Sequence, residues 1–285
     1  MFVAKSVWGT HCAPSISRIA AARSLTFLSI ILAAALGGLP YAAFGAPISY
    51  GSFTGTTVDY NNVTEDTTTG DSLPLFGTPV VSGNSIDFNP VGFDAETSGA
   101  GGSDDTGARL TFAIQAHAGS AISNITFSEA GDTTLAGAGT DSTSTKVTAG
   151  GTLTISEVDG AAVTPIVRPI ALTFTPSGGD YGLASDGGGL PIFHTQWTGS
   201  LAVNVGQILT SAGVPFTFGA TNIAVDIVNS LEARSESGTS ALINKNDFGG
   251  ISITVNIPEP ASGVLLVAGL AGLLVAGRRP RSPHI

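Results

Sequence analysis

The sequence contains a single cysteine, Cys12, and this residue lies near the N-terminus rather than in the middle of the chain. Disulfide bonds, cysteine-ligated zinc and cysteine nucleophiles are therefore excluded together from residues 46–257. Charged residues are also scarce, at 11% of the 285 residues, against about 25% in an ordinary globular chain. Because 42% of the residues are hydrophobic, the low charge content does not indicate disorder, and the chain can bury a core.

Basic residues are rare in the middle of the chain. Residues 46–257 contain five basic and twenty acidic residues, which gives this stretch a formal charge of −15. Such a surface repels nucleic acid and anionic lipid, and it attracts cations such as Ca²⁺. We therefore expect no nucleic-acid partner.

Residues 1–45 have the pattern of a secretory signal peptide. A basic region precedes an apolar stretch over residues 25–36, and small residues occupy the −3 and −1 positions for cleavage before Ala46. The basic residues are Lys5, Arg18 and Arg23, and the small ones are Ala43 and Gly45. Since no Arg-Arg pair precedes the apolar stretch, the pattern predicts the general secretion route. An uncleaved anchor is the alternative, which the short apolar run disfavours.

The C-terminal segment begins with the tripeptide Pro258-Glu259-Pro260, and an uncharged apolar stretch follows over residues 261–277. That length is at the short end of what spans a bilayer as a helix, about 17–25 residues. A basic cluster comes next, made of Arg278, Arg279 and Arg281. By the positive-inside rule this cluster stops transfer and stays cytoplasmic, which leaves residues 46–257 outside. The prolines predict that the tripeptide is an extended, exposed joint.

A Pro-Glu-Pro tripeptide, one short apolar span and a basic end together resemble the PEP-CTERM sorting domain of Gram-negative bacteria. The resemblance covers residues 258–281 and fits the export signal at the other end of the chain. It implies that an exosortase, a membrane-embedded transpeptidase, recognises the tail of a protein held transiently in the inner membrane. It also implies release to the cell surface or outside, often towards the exopolysaccharide of a biofilm matrix. A plain anchor with a coincidental tripeptide is the alternative.

Residues 46–257 show the alternation of apolar and polar residues that is typical of half-buried strands. The apolar rows are Leu110, Phe112, Ile114 and Ala116; Leu153 and Ile155; Ile223, Val225 and Ile227; and Ile251, Ile253 and Val255. Further strand candidates lie at 48–53, 85–88, 122–127, 162–174, 192–205 and 216–218. These segments predict one all-β domain of ten or so strands, an antiparallel β-sandwich for which a jelly-roll-like order is one option. We expect no amphipathic helix, and surface loops at 97–107, 136–145 and 176–189.

Candidate chemical sites in this domain are few. His117 and His194 are 77 positions apart with no metal-ligand spacing, and no nucleophile or phosphate-binding motif appears. The acidic stretches 102–105 and 244–247 are candidate calcium loops, but solvated turns are the better interpretation because neither has EF-hand spacing and Lys245 would oppose a cation. Trp197 is interpreted as a core residue rather than a sugar-stacking one. We expect no enzymatic activity, cofactor or metal.

Two classes of function fit these features. The first is a non-catalytic extracellular protein, a structural or adhesive component of the surface or matrix. The second is a secreted carbohydrate-binding or carbohydrate-active protein on a sandwich scaffold. The first is favoured because no catalytic constellation stands out. Glycoside hydrolysis needs only two carboxylates, and acidic residues are too numerous here for the sequence to single out such a pair.

Overall fold

A computed structural model describes residues 46–246 and 252–256 of the chain. The predicted signal peptide (1–45) and the predicted sorting tail (258–285) lie outside these residues. Within the described residues, no helix is both long enough and apolar enough to cross a membrane.

Fifteen strands make up most of the described part of the chain, and all of their pairings are antiparallel. They are β1 (Ile48–Thr54), β2 (Val58–Thr67), β3 (Val80–Ser82), β4 (Ser85–Asp87), β5 (Asp94–Ser98), β6 (Gly102–Ala116), β7 (Asn124–Ala136), β8 (Ser144–Val158), β9 (Ala161–Ala171), β10 (Thr173–Thr175), β11 (Asp180–Gly182), β12 (Ile192–Asn204), β13 (Ala220–Ser235), β14 (Ser240–Lys245) and β15 (Ser252–Asn256). The prediction of an all-β, antiparallel fold is thus confirmed.

The strands form two sheets. The first has the order β1-β2-β6-β13-β8-β11, and β9 pairs with the other end of β8. The second has the order β10-β12-β7-β15-β4-β3, and β14 and β5 continue it beside the other half of β7. The chain changes sheets repeatedly between its long strands, because β6, β8 and β13 belong to the first sheet while β7, β12 and β14 belong to the second. This arrangement is consistent with a β-sandwich.

One hydrophobic core takes in inward-facing residues of both sheets. The apolar rows predicted on β6, β8 and β13 are all buried, and Asp226 lies on the opposite face of β13. Aromatic rings pack edge to face within the core, with 5.2 Å between the centroids of Phe76 and Phe93 and 5.9 Å between those of Phe174 and Trp197. Pairs of this kind add about 0.5–1.5 kcal/mol beyond their buried area.

Three sequence predictions need correction. Residues 102–105 are not a loop but the start of β6, which pairs with β13 up to Ser235 and faces solvent with its acidic side chains. Residues 216–218 are not a strand, because the carboxylate of Asp159 accepts the N–H groups of Thr217 and Phe218 that a neighbouring strand would otherwise bond. The loop predicted at 176–189 contains the short strand β11.

The domain also contains one short α-helix among its described residues, α1 (Val205–Ser211), where none was expected. Asn204 caps it, since its side-chain oxygen accepts the N–H of Gln207 at 2.8 Å. Val205 and Leu209 are the buried residues of the helix. Seven residues are too few to show a helical period in the sequence, so α1 could not be separated from the end of β12.

Glycine at position 131 of β7 is required by the packing of the core. A Cβ at this position would clash with the ring of Trp197 and with the carbonyl oxygen of Asn244. Gly131→Ala should therefore lower the free energy of unfolding by about 1–3 kcal/mol, as overpacking usually does. Gly206→Ala in α1 is the matched control, because its nearest neighbours would lie at 3.5 and 3.7 Å.

That control should leave stability unchanged or raise it by about 0.5–1 kcal/mol, the usual gain for alanine in a helix. Urea unfolding of the three proteins measures the difference directly. Equal midpoints for Gly131→Ala and wild type would show that the core has room at β7.

Candidate functional site

The predicted sorting residues lie outside the described part of the chain, but the strand before them does not. Pro258, Glu259, Pro260, Arg278, Arg279 and Arg281 belong to this undescribed set. β15 pairs with β7 on one side and with β4 on the other, so it is an interior strand of the second sheet. It ends at Asn256, and only Ile257 separates it from Pro258.

The two histidines of the domain are not brought together. The Nε2 atom of His117 lies 3.1 Å from the Asp59 carboxylate at the end of the first sheet, and its hydrogen bond holds the pKa of Asp59 below the usual value. His194 lies in β12 of the second sheet, with Nδ1 2.9 Å from Thr134 Oγ1. The structure therefore offers two separate surface histidines rather than one constellation.

Neither acidic stretch considered for calcium forms a solvated turn. Asp104 lies in β6 and accepts the N–H of Glu96 at 2.8 Å. Lys245 is the last residue of β14 and is fully buried, so the solvated-turn interpretation was wrong there; Asp247 lies outside the described residues. Within residues 46–246 no group of three or more acidic, histidine or cysteine side chains is placed to hold a metal ion.

Lys245, Glu129 and Asn229 form a buried polar cluster between the two sheets. The side chains of Lys245 and Glu129 are both 0% exposed and form an ion pair, and Lys245 Nζ also contacts Asn229 Oδ1. Glu129 lies in β7 and Lys245 in β14, both strands of the second sheet, whereas Asn229 lies in β13 of the first. The cluster therefore links the two layers through polar contacts within the core.

Aromatic rings and glycines surround this cluster. The Lys245 ammonium lies 5.1 Å from the centroid of the Phe93 ring and 5.9 Å from that of Trp197. At Gly199 a Cβ would lie 2.5 Å from the ring of Phe174 and 3.0 Å from Glu129 Cγ, so glycine makes room for both side chains. Trp197 is 1% exposed, which confirms the prediction that it is a core residue.

Three polar atoms, in the cluster and in the aromatic rings around it, have no hydrogen-bond partner among the described residues. They are Glu129 Oε1, Asn229 Nδ2 and Trp197 Nε1. Buried polar atoms are nearly always paired, and each unpaired one costs about 1–3 kcal/mol. The cluster therefore contains buried polar atoms whose hydrogen-bonding capacity the described part of the core does not fully use.

Burial acts on the ionisation of both charged members. Desolvation raises the pKa of Glu129 and lowers the pKa of Lys245, and the attraction between the two groups opposes each shift. Desolvation is the larger effect for both groups, so the site favours a neutral acid beside a neutral amine more than water does.

The sequence analysis missed this cluster, although a signal was present. Period two places Glu129 on the inward face of β7 with Phe127 and Leu135. The same period places Asn229 in line with Ile227 and Lys245 in line with Ile243. A polar residue in an inward register position is rare enough to mark a site.

Several of the other acidic side chains anchor loops. Glu65 is buried and accepts the N–H groups of Leu75 and Phe76 and the hydroxyl of Tyr50. Asp141 accepts the N–H groups of Ala184 and Ser185, both at 2.8 Å. These carboxylates therefore have a structural role, because they satisfy loop N–H groups that no strand pairs.

The outward face of the first sheet carries a shallow depression of about 410 Å³. Ala113 and Ala224, which pair across β6 and β13, form its floor. The amides of Gln115 and Asn222 are hydrogen-bonded to each other in the next row of the sheet. Asp226, whose carboxylate lies 2.9 Å from Arg109 Nε, lines the depression on the other side of the alanines.

Comparison with known proteins adds little. No protein-family model and no curated protein matches the chain. Among solved structures, the VP2 subviral particle of infectious bursal disease virus aligns with 77% of this chain and 61% of its own, at 11% identity and a TM-score of 0.09. A likeness of that size carries no argument about fold or function.

Asp159 gives a pH-dependent prediction. Partial desolvation acts to raise the pKa of its carboxyl, but the N–H groups of Gly219, Thr217 and Phe218 outweigh this and lower it. A lowered pKa means that the anchor is complete above the ordinary aspartate pKa of about 3.9 and is lost as pH falls through the lower, folded value.

The backbone amide resonances of Thr217 and Phe218 should therefore keep their neutral-pH positions down to about pH 3.9 and shift only below it. In Asp159→Asn the same resonances should not titrate over this range. A wild-type midpoint above the ordinary aspartate pKa would contradict the hydrogen-bonded anchor.

Proposed function

We propose that this protein is an exported, non-catalytic component of the bacterial surface or extracellular matrix. A signal peptide over residues 1–45 directs it through the general secretion route, residues 46–257 form a β-sandwich domain outside, and an exosortase acts on the tail at 258–285. The observation that carries the proposal is the position of β15. An interior strand of the second sheet ends at Asn256, next to Pro258-Glu259-Pro260.

The short connection has a physical consequence for sorting. Only Ile257 lies between β15 and the tripeptide. A tail inserted in the inner membrane therefore holds the domain directly at the outer face of that membrane. Retaining the arginine cluster on the cytoplasmic side is favourable, since each arginine costs about 2.5–3.5 kcal/mol at the centre of a membrane helix. The domain, with its formal charge of −15, is repelled by anionic lipid and is free to leave once the tail is cut.

The absence of catalysis is part of the proposal. His117 follows β6 of the first sheet and His194 lies in β12 of the second, and the carboxylates Glu65, Asp141 and Asp159 each accept loop N–H groups. Groups committed in this way to holding the fold are poorly suited to exchange protons with a substrate.

Carbohydrate binding is the second candidate, and the depression on the first sheet favours it. Amide, hydroxyl and carboxylate groups project from neighbouring rows of one sheet face around an alanine floor. These groups can pair with sugar hydroxyls as donors and acceptors. An exopolysaccharide partner would fit a matrix protein.

The sorting proposal is tested in the native host with Glu259→Ala. The wild-type protein should be shortened and released, whereas the variant should stay at full size in the membrane fraction because its recognition tripeptide has lost the carboxylate. Asp180→Ala is the control, since Asp180 is an exposed carboxylate of the domain itself. If the Glu259 variant is shortened and released as fully as the control, the tail is a plain anchor or the target of unrelated proteolysis.

The carbohydrate candidate is tested with a bulky side chain in the depression. Ala224→Tyr should fill the floor and reduce binding to host exopolysaccharide at least tenfold, which corresponds to about 1.4 kcal/mol. Gln196→Tyr is the control, because Gln196 is exposed on β12 of the other sheet. Glycan-array and titration measurements that find no binding by the wild type, or equal binding by both variants, would remove this candidate.

A further inference from the structure

The buried cluster brings together the three functional groups needed to form an amide bond. An amine on Lys245, a carboxamide on Asn229 and a carboxyl group on Glu129 meet in a water-excluded core. We propose that Lys245 Nζ and Asn229 Cγ become joined by an intramolecular isopeptide bond after folding, with Glu129 as the catalytic residue that moves the proton.

The geometry places the reacting atoms next to each other. Lys245 Nζ contacts Asn229 Oδ1, and Cγ is only one carbonyl bond, about 1.2 Å, beyond that oxygen. The nitrogen is therefore close to the separation of about 3–3.5 Å from which nucleophiles attack. The backbone at Lys245 is held in place because its N–H donates to Phe93 O at 2.9 Å.

The surroundings favour the reactive forms of the groups. A lysine amine is a nucleophile only when it is neutral, and burial lowers the pKa of Lys245. Burial also raises the pKa of Glu129, so a proton passed from the ammonium to the carboxylate leaves a neutral amine beside a neutral acid. Phe93 and Trp197 contribute apolar ring surface around the amine.

The reaction balances without a co-reactant. The lone pair of Nζ forms a bond to Cγ, and the negative charge that develops on Oδ1 is stabilised by the acid of Glu129. Nζ gives one proton to Glu129, and Nδ2 receives one from it. The Cγ–Nδ2 bond then breaks with its electron pair on nitrogen, so ammonia leaves and Glu129 is regenerated as the acid.

The unpaired atoms of the cluster agree with these roles. Asn229 Nδ2 is the leaving group, and it has no hydrogen-bond partner among the described residues that would have to be given up. Glu129 Oε1 is likewise unpaired there, while Oε2 contacts Lys245. The product removes the buried charge pair and ties β13 of the first sheet to β14 of the second, in a domain that has no cysteine to form a disulfide.

Peptide mapping of the full chain, purified and then denatured, tests the bond. Trypsin does not cleave after an acylated lysine, so the segment holding Lys245 should remain attached to the segment holding Asn229 although Arg234 lies between them. The branched product should be lighter than the sum of its two linear peptides by one ammonia. Linear peptides alone, from folded wild-type protein, would overturn the proposal.

Substitutions of the three cluster residues test the role of each in forming the bond. Asn229→Ala, Lys245→Met and Glu129→Gln should each yield only linear peptides, and Glu129→Gln should do so while keeping a β-type circular dichroism spectrum, because it conserves the shape of the side chain. Asn222→Ala and Lys146→Met, which change the same residue types on the outward face of the first sheet, should keep the branched linkage in full. Because Lys146→Met also removes a tryptic site, the Asn229 arm of its branched peptide should begin after Arg109 instead of after residue 146.

The wild-type map is decisive even if a cluster variant does not fold. A branched peptide that persists in Asn229→Ala would assign the bond to another residue and contradict the proposal. A branched peptide that persists at full yield in Glu129→Gln would contradict the catalytic role of Glu129.

Discussion

The packing of this fold depends on a buried lysine and a buried glutamate that lie where the two sheets meet. Taking two charges out of water costs several kcal/mol for each ion, and removing one partner of such a pair typically costs about 3–5 kcal/mol more because the other charge is left alone. The core is shaped to keep the pair together. Glycine at 131 and 199 opens space, Phe93 and Trp197 close around the ammonium, and Asn229 reaches across from the first sheet. The positions of β7, β13 and β14 therefore depend on one another.

Alternation in the sequence was enough to predict the class of fold, because each long strand buries one face. The rows on β6, β8 and β13 appear where the pattern placed them. The pattern failed where side chains replaced the backbone as hydrogen-bond partners, as at Asp159 and residues 216–218, and where an exposed strand had the composition of a loop, as at 102–105. It also did not predict the cluster of Glu129, Asn229 and Lys245, since the pairing of β7 with β14 and the contact of β13 with β14 bring together residues that are separated in the sequence.

The acidic surplus and the shortage of cysteine fit a protein that works outside the cell as a stable scaffold. Carboxylates anchor the loops at Glu65, Asp141 and Asp159, which leaves the long strands to carry the core. An interior strand, β15, lies immediately before the Pro-Glu-Pro tripeptide. Because that strand is held on both sides, processing of the tail need not disturb the domain.

The proposed function requires that the chain is exported and trimmed at both ends, which leaves the β domain outside the cell. The intact mass of the protein recovered from the medium of its native host tests this claim most directly. We expect the mass of a chain that begins at Ala46, ends at or next to Pro258-Glu259-Pro260 and lacks the apolar stretch 261–277. A protein that stays with the cells and has the mass of all 285 residues would contradict it.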